Sequence, residues 1–142
     1  MKRSPALVPL SREHHEALVL ARRACDPERP GAAPQDVREH VLSSWTGRIE
    51  SHFRQEEQAL LPALAEAGAG ADAEEGLRQH HTIRRLVGEL QAGGTASLPA
   101  WGEAMRAHVQ WEERHLFPLD ERLLDLASLS PALERAPQGA TP

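Results

Sequence analysis

The stretch His52-Phe53-Arg54-Gln55-Glu56-Glu57-Gln58-Ala59-Leu60-Leu61-Pro62 returns further along the chain as His108-Val109-Gln110-Trp111-Glu112-Glu113-Arg114-His115-Leu116-Phe117-Pro118. Each copy is preceded by a His-His pair, Glu13-His14-His15 before the first and Gln79-His80-His81 before the second. A unit made of a His-His helix and a His-x-x-x-Glu-Glu helix therefore occurs twice, which predicts a site of pseudo-twofold symmetry. A His and a Glu four residues apart on a helix are separated by about 40° around its axis, so both side chains reach one point inside a bundle. Two such helices facing each other can hold a pair of metal ions.

Outward from the repeat, the punctuation is helical. Ser11 can cap a first helix carrying His14, Leu18, Ala21 and Cys25 on one side, ended by Asp26-Pro27 and a Pro/Gly-rich loop to Pro34. A second helix is expected from about Gln35 to Ala67, with Val41, Trp45, Ile49, His52, Phe53, Glu56 and Leu60 spaced by threes and fours. Pro62 should kink it one turn beyond the motif, and Gly68-Ala69-Gly70 should stop it. Asp72 and Glu75 have capping-box spacing for a third helix with Leu77, His80, Ile83, Val87 and Leu90 inward, closed by Gly93-Gly94. Ser97-Leu98-Pro99 starts a fourth, in which Trp101, Met105, His108, Glu112 and Leu116 share a face until Pro118 bends it. A fifth, short piece can begin at Ser130-Pro131. The sum is an all-α chain, an antiparallel up-down-up-down four-helix bundle over residues 11–128, with a loose N-terminal arm (1–10) and a short C-terminal helix and flexible tail (129–142).

Composition agrees with that class and narrows the partners. The 142 residues suffice for one domain with a core, aromatic residues are only 4% and Tyr is absent, which favours helices over sheets. A formal charge of −5 without a basic cluster argues against nucleic acid, since phosphate binding needs concentrated Lys and Arg. The lone Cys25 makes no internal disulfide, and no long apolar run marks a signal peptide or membrane span, so a cytoplasmic protein is expected. No phosphate-binding glycine loop and no Ser or Cys nucleophile motif is present, and without Tyr a tyrosyl radical is excluded.

His14, His52, Glu56, His80, His108 and Glu112 each lie on the apolar stripe of their own helix. Ionisable groups among Leu, Ile and Val have lost water, so six at matching depth are costly unless they pair or bind metal. Any one buried His is more often a hydrogen-bonded core residue than a ligand, but the repeat turns that argument around. Four imidazoles and two carboxylates suit iron first, then manganese or zinc, and are poor for calcium or magnesium. Within each His-His pair helical spacing selects His14 and His80, leaving His15 and His81 at the edge of the bundle. His40 is expected on a solvated face. Glu57 and Glu113 read as solvated or supporting carboxylates unless the helix is locally rewound. Glu112-x-x-His115 has the spacing of the Glu-x-x-His element of ferritin-like di-iron proteins, but the matching position in the second helix is Ala59, so His115 is only an auxiliary candidate.

From Leu10 to about Leu124 the chain resembles the hemerythrin-like, or HHE cation-binding, family. The likeness rests on Glu13-His14, His52-x-x-x-Glu56-Glu57 with Leu60-Leu61-Pro62, His80-x-x-Ile83-Arg84, and His108-x-x-x-Glu112-Glu113 with Leu116-Phe117-Pro118. The resemblance implies a four-helix bundle around two oxo- or hydroxo-bridged iron ions that meets O2, NO or peroxide at an open position. Oxygen-carrying hemerythrins have His-x-x-x-His in the third helix, where this chain has Arg84 four residues after His80. They also place an Asp five residues after the fourth-helix His, where this chain has Glu112 at plus four and Glu113 at plus five. Both departures bring it nearer to family members with fewer histidines, one of which senses iron and oxygen in a ubiquitin-ligase adaptor.

The resulting expectation is a metal-binding protein in which His14, His52, His80 and His108 are terminal ligands and Glu56 and Glu112 bridge. It would bind or sense O2, NO, iron or oxidative stress, with no nucleic-acid or membrane partner. Two rivals stand beside it: a di-iron enzyme acting on peroxide, NO or O2, and a metal-free or zinc-bound helical interaction module.

Overall fold

The computed structural model describes residues 2–29, 31 and 33–139, with side chains through Glu134, and every regular element among them is a helix. Helix α1 (Val8–Cys25) carries Pro9 in its first turn, where a missing N–H costs nothing. It begins ahead of the expected Ser11 cap; Ser11 sits inside the helix and its hydroxyl donates to Glu113 at 2.8 Å. The N-terminal arm is accordingly not loose: Leu7 and Leu10 are buried, and Arg3 forms ion pairs with Glu113 (3.1 Å) and Glu121 (3.0 Å).

Helix α2 runs without a break through residues 34–66, as Pro34–Ser44, Trp45–Ile49, Glu50–Gln55, Glu56–Leu60 and Leu61–Glu66. Helix α3 is Gly70–Gln91. Helix α4 covers residues 98–123, as Leu98–Trp111, Glu112–Leu116 and Phe117–Leu123, and α5 is Leu126–Gly139. Glu56–Leu60 and Glu112–Leu116 are π turns, in which the N–H of Leu61 reaches the carbonyl of Glu56 and that of Phe117 reaches Glu112. Pro62 and Pro118 follow immediately. Proline has no N–H for the carbonyl four residues back and its ring presses on that carbonyl, so the helix widens by one residue just before it. At Pro62 and Pro118, where bends are expected, helical structure continues through the proline.

Gly68 (φ 93°) and Gly93 (φ 122°) end α2 and α3 in the left-handed conformation that only glycine adopts cheaply. The capping box expected at Asp72 and Glu75 does not form. Helix α3 has already started at Gly70, so Asp72 instead pairs with His115 and Glu75 accepts from Arg78 and Gln79. Helix α1 packs on α2 and α4, and α3 packs on the same two, an arrangement compatible with a four-helix bundle. Helix α5 starts earlier than Ser130-Pro131 and lies along the Glu50–Leu60 part of α2, where Gln55 Nε2 donates to the Leu133 carbonyl (2.9 Å). Residues 140–142 of the expected flexible tail lie outside the described residues.

Two apolar clusters occupy the interior. One gathers Leu20, Trp45, Phe53, Val87, Trp101 and Met105; the other gathers Leu10, Leu60, Leu64, Ala73, Leu116 and Phe117. On α1 and α3, His14 and His80 fall between residues of one cluster and residues of the other, and on α2 and α4 the two His-x-x-x-Glu pairs do the same. Leu77 and Cys25, expected inward, are exposed. Helix α3 meets its neighbour at Gly76 instead, where an added Cβ would lie 3.2 Å from Leu61, and this turns Leu77 outward. No described helix is long and apolar enough to cross a membrane.

Helices α1 and α4 are in close contact at Gly102, where a Cβ would stand 2.5 Å from the Ala21 carbonyl oxygen and 2.8 Å from Cys25 Sγ. Backbone cannot yield as a flexible side chain does, so the helices would have to separate. Gly102→Ala is expected to lower the unfolding free energy by about 3 kcal/mol in urea titration, despite the better helix propensity of alanine. An unchanged midpoint would show that the helices are not held this close.

Candidate metal centre

The six residues singled out in the sequence converge. His14 comes from α1, His52 and Glu56 from α2, His80 from α3, and His108 and Glu112 from α4; all are buried, with at most 4% of each exposed. Their ligand atoms form two quartets, His14, His52, Glu56 and Glu112 on one side and Glu56, His80, His108 and Glu112 on the other, each within 4.8 Å. Glu56 and Glu112 belong to both. His14 Nε2 lies 2.8 Å from Glu112 and His80 Nε2 2.9 Å from Glu56. His52 Nε2 is 3.2 Å from Glu56 and His108 Nε2 is 3.4 Å from Glu112, each the residue four positions on along its own helix.

Behind each imidazole, Nδ1 has its own partner. Glu113 meets His14 (2.6 Å), Glu13 meets His52 (3.0 Å), Glu57 meets His80 (2.6 Å) and the Gln79 side-chain oxygen meets His108 (2.7 Å). These bonds place the proton on Nδ1 and leave Nε2 of every ring directed to the centre. The pseudo-twofold relation extends further out. Arg3 donates to Glu113 and stands over Phe117, whose ring stacks on His14; Arg84 donates to both oxygens of Glu57 and stands over Phe53, whose ring stacks on His80. Arg84, at the position where oxygen carriers have a histidine, thus serves a supporting carboxylate rather than the centre.

The electrostatics follow from this packing. Burial works against the charged form of His80, but Glu56 and Glu57 outweigh it and hold the ring up at about 9. Burial likewise opposes a charged His14, and the Glu112 and Glu113 hydrogen bonds overcome it. For Glu57, burial is overcome by His80 and Arg84, which bring its carboxyl down to about 2. His108 is the exception: burial outweighs Glu112, while His80, His52 and His14 add to the lowering, and the ring falls to about 3, neutral at any ordinary pH. Its Nε2 is buried without a hydrogen-bond partner. A neutral imidazole with its proton on Nδ1 and a bare lone pair facing two carboxylates is the donor a metal ion requires, so these residues fit a metal pair.

The remaining titratable candidates lie elsewhere. His115 is exposed and pairs with Asp72 at 2.6 Å. His15 and His81 are exposed, and exposed His40 accepts from Arg23. Glu57 and Glu113 sit on locally rewound helix, yet bind the histidines from behind. Glu13 and Gln79 were not recognised in the sequence as supporting residues. The available signal was their matching place, each immediately before the inward histidine of its His-His pair.

A cleft of about 460 Å³, mouth included, reaches the first quartet. His14, His52 and His108 border it together with apolar Ala17, Leu20, Ile49, Phe53, Met105 and Val109, and Glu13, Glu16, Ser44 and Arg48 line it as well. The exposed Arg48–Glu16 ion pair (2.8 Å) stands at its rim.

In comparison with known proteins, the hemerythrin HHE cation binding domain matches residues 7–127. No curated protein and no solved structure matches the chain.

Asp120 was also missed, although it lies four residues after Leu116 on the inward stripe of α4. It is fully buried and neither carboxyl oxygen has a partner. Burial, then Glu56, Glu112 and Glu121, push its carboxyl up to about 8 against the opposing charge of Arg3. An acid that holds its proton in the folded chain and loses it near pH 4 when unfolded destabilises the fold increasingly from pH 4 up to 8. In the metal-free protein, Asp120→Asn should therefore gain on the wild type by about 1.4 kcal/mol per pH unit between pH 5 and 8. A constant difference across that range, measured by urea unfolding, would refute the buried neutral acid.

Proposed function

Because the chain belongs to the hemerythrin HHE cation-binding domain family, we propose that it is a non-haem di-iron protein that binds or senses O2, NO, iron or oxidative stress. The observation that carries this reading is the pair of quartets sharing Glu56 and Glu112, with the unpartnered Nε2 of His108 in one of them. His14 and His52 would hold one ion, His80 and His108 the other, and the two glutamates would span both. The bound pair would supply one-electron redox chemistry and an open position for a small ligand. The order and contacts of the four long helices, joined by short loops, support an antiparallel up-down-up-down bundle as the frame.

The chain's own residues do the rest. Glu113, Glu13, Glu57 and Gln79 fix the tautomer and tilt of the four rings before any ion arrives, which lowers the ordering cost of binding. The apolar walls of the cleft, Leu20, Ile49, Phe53, Met105 and Val109, favour a small uncharged ligand and offer little to a charged one. This cleft also favours a second reading, an enzyme consuming peroxide, NO or O2, because it gives substrate a route to buried histidines. Steady-state consumption of those substrates with a reductant separates the two.

Metal-free, the centre keeps two carboxylates together away from water; burial and Glu112 push Glu56 upward, so that it competes for a proton. Metal removes that conflict and binds only the folded chain. Protein loaded anaerobically with ferrous iron is expected to retain close to two irons, to develop near-ultraviolet bands in air, and to melt at least about 10 °C above the metal-free form. His52→Ala and Glu112→Ala should each lose most of the iron. Full iron content in either variant, or retention of zinc alone with no oxygen-dependent band, would sink the di-iron reading.

A further inference from the structure

The four histidines are not supported alike. His14 and His80 each lean on a glutamate that is itself tied to an arginine, Glu113 with Arg3 and Glu57 with Arg84. Those two supports are equivalent in charge. The other two are not: His52 Nδ1 meets the carboxylate of Glu13 at 3.0 Å, whereas His108 Nδ1 meets the neutral amide of Gln79 at 2.7 Å. Glu13 and Gln79 occupy the same place in the two halves of the repeat, so one exchange of carboxylate for amide breaks the symmetry of the whole constellation.

We propose that this exchange makes the two metal positions unequal, so that the position held by His14 and His52 fills first and that held by His80 and His108 fills second. The inference rests on the two-metal reading above and adds Glu13 and Gln79 as positioning residues that set its order. A carboxylate behind an imidazole raises the basicity of the ligating nitrogen, and its loss typically weakens metal binding by about 10–100-fold. An amide oxygen orients the ring as well but donates far less charge. Glu56 and Glu112 belong to both quartets, so the presence of either does not distinguish one position from the other. Repulsion between two cations also weakens the second step, but it does not choose which position fills first. The order of filling is therefore the diagnostic.

The test is a titration of the full-length metal-free chain with cobalt(II), which shifts proton resonances near each ion and lets the exchangeable Nδ1–H of each histidine be followed separately. At one equivalent, shifted N–H signals from His14 and His52 are expected, with those of His80 and His108 appearing only with the second. Gln79→Glu should tighten the second step by about tenfold or more. Combining Glu13→Gln with Gln79→Glu should invert the order, a result that a merely structural role for these residues would not produce. Circular dichroism checks that each variant keeps its helix content, and if the double variant fails to fold, the affinity change in Gln79→Glu decides. Equal filling at one equivalent, an order unmoved by the exchange, or a second step unchanged in Gln79→Glu would overturn the proposal while leaving the two-metal reading intact. Failure to take up cobalt at all would overturn both.

Discussion

Two glutamates with almost no exposure, Glu56 and Glu112, sit together at the centre of this protein, and most of its unusual features can be traced to the need to accommodate them. A carboxylate removed from water costs several kcal/mol unless it is paired and hydrogen-bonded. Four imidazoles surround the pair, and each imidazole is held from behind by a polar group nearer the surface. Two of those outer groups, Glu113 and Glu57, are in turn tied to Arg3 and Arg84, both partly exposed. Charged groups thus become less buried from the middle outward, and Asp120, the buried acid without a partner, keeps its proton instead of facing the apolar clusters as an ion.

The arrangement explains why certain residues with no place in a metal site are nevertheless part of it. Phe53 and Phe117 stack on His80 and His14 with interplanar angles of 7° and 11°, fixing ring planes that hydrogen bonds alone would leave free to swing. Pro62 and Pro118 impose π turns at the glutamates, and such a turn rotates the following residues relative to an ordinary helix. Glu56 faces the centre while Glu57, its neighbour in sequence, reaches a histidine on a different helix. Arg3 and Arg84 reach equivalent posts from unrelated sequence positions, one from before α1 and one from within α3, so the symmetry of the site exceeds the symmetry of the repeat.

Much of this was legible in the sequence because it depends on spacing. The helices and the six central residues follow from apolar periodicity and the duplicated motif, and the inward choice of His14 over His15 and His80 over His81 follows from helical angle. What was not legible depends on partners brought from far away. Arg3 belongs to a segment that lacks periodicity, so it read as a loose end, yet it is tied down by residues near the other end of the chain. The capping box at Asp72 failed because the same residues had alternative partners, His115 among them. Leu77 pointed outward because the neighbouring helix approached Gly76, and no property of α3 alone reveals where a neighbour will press. Asp120 was passed over because a single acid among leucines has no twin in the other half to draw attention to it.

The hydrogen bond between His14 and Glu112 joins residues 98 apart in sequence. Glu112 belongs to both quartets, and it is the last of the six to be synthesised. A chain still emerging from the ribosome therefore has neither quartet complete before Glu112 is made, however many histidines it has already exposed. Both quartets close only once α4 is in place, which makes the centre a late product of folding rather than something its early histidines could assemble alone.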